Sequence, residues 1–209
     1  MAALIDISQP LRAGLPVWPG EPDFDYQRLA QIGPDCPVNT GKLTLPTHAG
    51  THADAPLHYA DGQPCSATSA LDPYVGPCIV LDVRHAGTLV RPGHIDWDSL
   101  GEARRVLLRT YGAFPHEAWD EQFTAISPEV IEALAARGVV LIGTDAASLD
   151  PMTSKTMGAH HAVLRHDMRI LEGLVLDGVK PGDYELIALP LRIEGSDSSP
   201  VRAVLRTLT

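Results

Sequence analysis

The chain reads as an α/β protein: one domain over residues 1–209, built on a mixed, strongly curved sheet flanked by helices. Three observations predict this. Short β-rich runs are spread along the whole sequence. One well-punctuated helix feeds straight into an almost wholly apolar strand. The 18 prolines and 18 glycines are dispersed rather than gathered in a linker, which implies many turns and long ordered loops. A length of 209 residues suits a single domain and is enough to bury a core without disulfides.

In chain order, the run from His48 to His58 comes first. Pro46, Gly50 and Pro56 argue against a helix there, so an extended conformation is predicted. Cys78–Val83 and Val106–Thr110 read as strands, with a short turn at Ile95–Leu100 between them. Pro128–Arg137 is the clearest helix. Ser127 suits the N-cap, Pro128 the first helical position and Glu129 the dipole. Val130, Ile131 and Leu134 form its apolar stripe, and Gly138 stops it. Val139–Gly143 follows as a strand buried on both faces. A second helix is predicted over Ala159–Asp167. Tyr184–Leu189 and Val201–Arg206 are further strands, the latter alternating apolar and polar residues as a strand with one wet face does. The pattern leaves the sheet order open.

Composition narrows the function. Hydrophobic residues make up 44% and charged residues 20%, as in a folded soluble protein. Acidic residues outnumber basic ones, 26 to 16, giving a formal charge of −10. No basic patch exists to attract nucleic acid or an anionic membrane surface. The N-terminus shows no basic stretch followed by an apolar one, and no 18-residue apolar run is present, so neither a signal peptide nor a membrane span is expected. Cys36, Cys65 and Cys78 are odd in number and lack CxxC spacing, which suits a reducing cytoplasm.

The chemistry concentrates in His48-Ala-Gly-Thr-His52-Ala-Asp54-Ala-Pro-Leu-His58. Three histidines and an aspartate within eleven residues offer the ligand types that zinc and its first-row neighbours take. In an extended chain, residues of one parity face one side. His48, His52 and Asp54 then point to one place, with Gly50 leaving space among them and His58 one step further along. Glu172 lies inside an apolar run, where a carboxylate is costly to bury unless it is paired or metal-bound; an exposed edge-strand position is the alternative. His160 and His161 face different sides of the second helix, so at most one enters a site, and composition does not choose between them. His166 suits the solvated end of that helix. His85, His94 and His116 read as structural or surface residues. Cys65 is read as a small apolar filler, with ligation as the alternative. Trp18, between Pro16 and Gly20, is packing or a platform for an aromatic ligand. Asp145, after the buried strand, is a ligand-supporting residue or a turn residue.

The pattern His48-x-Gly50-Thr51-His52-x-Asp54-x-Pro56-x-His58 resembles the signature of the cyclase-type metal-dependent amidohydrolases. The opening Ile5-Asp-Ile-Ser8-Gln-Pro, the Val-Trp18-Pro-Gly turn, Gly-Thr-Asp145 and the stretch from His160 to Glu172 follow in that family's order, so the resemblance covers nearly the whole chain. It implies a barrel-like core and assembly as a homodimer or a higher oligomer. It implies two divalent ions, zinc by family habit: one held by His48, His52 and Asp54, the second by Asp54, Glu172 and His160. It makes His58 the acid/base and lays Trp18 against an aromatic ring. The implied activity is hydrolysis of an aryl formamide, N-formylkynurenine, to kynurenine and formate. Such a reaction needs acidified water, a polarised carbonyl and a proton for the leaving nitrogen. A related amidohydrolase acting on isatin is the nearest rival. A mononuclear non-haem iron oxygenase with a two-histidine, one-carboxylate triad and a metal-binding module without turnover are more distant ones.

Overall fold

The computed structural model describes residues 2–208. In chain order the strands are β1 (Leu4–Asp6), β2 (Asp25–Ala30), β3 (Thr40–Thr44), β4 (His52–Asp54), β5 (Val75–Asp82), β6 (Leu89–Val90), β7 (Arg105–Arg109), β8 (Ala125–Ile126), β9 (Leu141–Thr144), β10 (Arg169–Glu172), β11 (Gly182–Ile187), β12 (Ser198–Pro200) and β13 (Val204–Thr207). Helix α1 spans Pro128–Ala135, between β8 and β9. Helix α2 spans Gly158–Arg165, between β9 and β10.

Nine strands form one sheet in the order β1-β13-β11-β5-β7-β9-β10-β4-β12. The pairs β5–β7, β7–β9 and β9–β10 are parallel. The flanking pairs are antiparallel, so the sheet is mixed, as expected. It has β1 and β12 as edges and is a curled half-barrel rather than a closed barrel. The curl shows in the packing. Ile7 beside β1, Leu205 of β13 and Ala53 of β4 share one apolar cluster with Leu107 and Leu141 of the central strands. On the other face, Ile79, Val106, Leu108, Ile142 and Ile170 pack under Val130, Ile131 and Leu134 of α1 and Ala159, Ala162 and Val163 of α2. Alternate residues of each central strand serve the two cores, which is why Val139–Gly143 carries no polar face.

Several boundaries move for identifiable reasons. Pairing with β11 carries β5 back to Val75, through Gly76 and Pro77, where propensity alone ends a strand. The run Val201–Arg206 shortens to β13. Val201 N–H donates to Thr51 O, and Ile7 N–H donates to Ala203 O, so residues 201–203 tie down two loops before the ladder begins. Ser127 sits at the N-cap of α1 with extended backbone, but its hydroxyl makes no cap bond. The extended reading of His48–His58 holds only for β4. Gly50 has φ +65°, which turns the chain at residues 47–50, and Pro56 opens a 3₁₀ turn ending at His58.

Candidate metal centre

His52 and Asp54 lie on one side of β4, and both are buried. Antiparallel pairing sets Glu172 of β10 opposite His52. Glu172 is 3% exposed on an interior strand, so the edge-strand alternative is overturned. α2 supplies His160, fully buried, while His161 faces solvent. The loop before β4 supplies His48 and the turn after it supplies His58.

The inward-facing atoms approach one another without bonding. His52 Nε2 lies 3.6 Å from Asp54 Oδ1 and 3.4 Å from Glu172 Oε2. His160 Nε2 lies 3.4 Å from Asp54 Oδ2 and 3.5 Å from Glu172 Oε1. His48 Nδ1 lies 3.1 Å from Asp54 Oδ1. Among the described residues, His52 Nε2, His160 Nε2 and both Asp54 oxygens are buried with no hydrogen-bond partner. Four such orphans at one point are costly unless a cation satisfies them.

The outward-facing nitrogens are all held. His52 Nδ1 donates to Gly50 O at 2.9 Å. His160 Nδ1 donates to Asp150 Oδ2 at 2.7 Å. His48 Nε2 donates to Asp197 Oδ2 at 3.0 Å. Fixing one nitrogen so that the other presents its lone pair is how proteins prepare metal-binding histidines. Asp150 also accepts the N–H groups of Ala159 and His160, capping α2 whose own N-cap residue is Met157. Glu172 Oε1 accepts Leu149 N–H at 2.8 Å.

Charge follows this geometry. Burial alone would push the His48 imidazole down, yet Asp54 and Asp197 together push it up to about 9. His160 goes the same way against its burial, through Asp150, Asp54 and Glu172, to about 10. Burial would raise Asp54, but the surrounding histidines, His160 foremost, hold it well below the usual carboxylate range. Burial opposes the fall at Asp197 too, and His48 and Thr47 prevail to lower it.

The centre floors a cavity of about 300 Å³. Trp18 stands on its wall beside Trp119, ring centroids 5.3 Å apart and edge-on. Gly50 lines the cavity too, but its space is not free. A Cβ there would meet Leu11 at 3.0 Å, so glycine serves the turn.

Three site residues escape the sequence reading: Asp150, Asp197 and Trp119. Asp150 before Pro151, and Asp197 among serines, look like turn residues; Asp150 holds a histidine ten residues on, across the turn into α2, and Asp197 one 149 residues away. Asp145 supports no ligand. It accepts Thr110 N–H, the Thr110 hydroxyl and Tyr111 N–H, stapling the end of β7, and burial pushes it up to about 6. Cys65 is not an apolar filler: it is partly exposed beside Thr68, whose hydroxyl lowers the thiol to about 7. His166 caps α2 and pairs with Glu132 of α1. His85 and His94 pack on each other, and His116 lies at the surface near Asp177.

The family model described as "Putative cyclase" matches residues 5–151. A kynurenine formamidase of Sphingopyxis alaskensis is 62% identical over 208 residues, spanning all of both chains. A kynurenine formamidase of Maricaulis maris is 57% identical over the same span, again covering both chains fully. A solved structure titled as a potential metal-dependent hydrolase with cyclase activity superposes with a TM-score of 0.86 at 26% identity, covering all of both chains. Matched by the family model over residues 5–151 and by these relatives over its whole length, this protein belongs to the cyclase family.

Proposed function

We propose that the chain is an arylformamidase that hydrolyses N-formylkynurenine to kynurenine and formate, with residues 1–209 acting as one hydrolase domain. The observation that carries this reading is the set of unpaired buried ligand atoms beneath a tryptophan-walled cavity. The full-length identity to two kynurenine formamidases supports the substrate.

His48, His52 and Asp54 would hold one divalent ion, and Asp54, His160 and Glu172 a second, with zinc the metal. Such ions acidify water and polarise a carbonyl oxygen. The remaining work falls to side chains. Trp18, with Trp119 packed edge-on against it, gives the aryl ring a wall to lie on and turns the formamide toward the floor. His58 takes the proton from water as its oxygen adds to the formyl carbon. It then delivers that proton to the anilide nitrogen as the C–N bond breaks, leaving formate and a free arylamine.

The assembly is a homodimer in this reading. β2 and β3 form a separate two-stranded arm whose Tyr26, Leu29 and Leu43 are exposed. A lone hairpin is marginal in water and gains from a covering partner. No helix among the described residues is long and apolar enough to cross a membrane. Three unpaired cysteines support a cytoplasmic location.

The test is turnover of N-formylkynurenine beside isatin, with formate measured directly. Release of equimolar kynurenine and formate, with isatin untouched, supports the assignment. Ring opening of isatin without formamide cleavage moves the chain to the rival activity. A requirement for oxygen would indicate an iron oxygenase.

A further inference from the structure

We propose that Asp197 is the positioning residue of the acid/base: one carboxylate that sets the orientation and tautomer of His58 while anchoring His48. The inference rests on the reading of His58 as the proton carrier. Asp197 Oδ2 lies 3.3 Å from His58 Nδ1 and 3.0 Å from His48 Nε2. The other oxygen accepts the Thr47 hydroxyl at 2.9 Å. The two imidazoles sit side by side, centroids 4.2 Å apart.

The backbone holds this carboxylate in place. Asp197 O accepts Ala55 N–H at 2.9 Å, and Ala55 O accepts His58 N–H at 2.9 Å. Ser198, the next residue, pairs with Asp54 across β12 and β4. Asp197 is therefore registered to the same strand that carries His52 and Asp54.

The consequence is chemical. A carboxylate has no proton to give, so the His58 nitrogen facing it carries one. His58 is left with Nε2 free to take a proton at the cavity that it lines together with His48, His52 and Glu172. A ring free to flip would present the wrong nitrogen for part of the time. The pair is partly solvent-exposed, His58 29% and Asp197 41%, so it contributes little to folding. Its geometry serves orientation.

The experiment uses zinc-loaded protein. Nitrogen NMR of the wild type reads the His58 tautomer directly, and kinetics compare wild type, Asp197→Asn, His58→Ala and the double variant at equal zinc content. We expect the Nδ1–H tautomer. Asp197→Asn lowers kcat by about 10–100-fold and leaves KM within about twofold. In the His58→Ala background the same change causes no further loss. An Nε2–H tautomer, unchanged kcat in Asp197→Asn, or an equal loss in both backgrounds overturns the inference. If the wild type does not cleave N-formylkynurenine, the proposed substrate fails while the tautomer still decides this point. The tautomer likewise decides it if the variant does not fold.

Discussion

At the scale of single residues, the centre is defined by what each histidine does with its second nitrogen. Removing an outer partner frees the ring. Asp150→Ala is expected to weaken zinc binding by about 10–100-fold, checked by chelator competition. Unchanged affinity would mean that burial alone orients His160. His58→Ala is expected to keep its zinc and lose about 10²–10⁴-fold in turnover; retained turnover removes His58 from the chemistry. The raised imidazoles also predict a pH signature. His48 and His160 rise from 6.5 to about 9 and about 10, so their stabilising contribution is full below pH 6.5 and lost as pH rises through those values. Asp54, depressed from 3.8, contributes above that pH and loses its effect on acidification. Metal-free protein should therefore lose thermal stability between pH 7 and 10, and zinc loading near neutrality should release protons. A flat melting profile over that range would contradict it. The ligand types were legible because His, Asp and Glu stand out in an apolar or turn-rich setting. Asp150 and Asp197 were not: Asp150, set before Pro151, has the look of a turn residue, and Asp197 orients a histidine 149 residues away, which leaves no spacing to read.

Among the elements, β4 is short, yet it is stapled on every side. The Thr51 hydroxyl accepts Gln9 N–H and donates to Gly173 O, which also takes the Gln9 side-chain amide. Gly173 has φ +62°, and a Cβ there would lie 2.6 Å from Gly50 O, the atom that holds His52. The central strands are equally tight. A Cβ on Gly143 would meet Leu107 at 2.5 Å and Leu174 at 2.9 Å. Gly143→Ala should cost about 1–3 kcal/mol by overpacking, read from chemical denaturation; a neutral result would show that β9 and β7 can separate. The interior strands and α1 were visible as apolar runs and caps. The His48–His58 run misled at both ends because parity assumes a continuous strand, whereas Gly50 and Pro56 bend the chain. The ligands converge through those bends.

Across the whole molecule, two cores on opposite faces of one curled sheet hold β4 and β10 side by side, and helix α2 brings His160 down onto them. That joins ligands more than 120 residues apart in sequence, from His48 to Glu172. The mixed sheet was foreseeable from composition and pattern. Its order was not, because long-range pairings such as β1 with β13 have no local sign. The measurement that most directly tests the account strips metal from the purified protein with a chelator, then restores zinc in counted equivalents while following N-formylkynurenine cleavage. Turnover is expected to disappear on chelation and to return in full at two zinc ions per chain. Full turnover in metal-free protein, or none in the fully zinc-loaded protein, would contradict it.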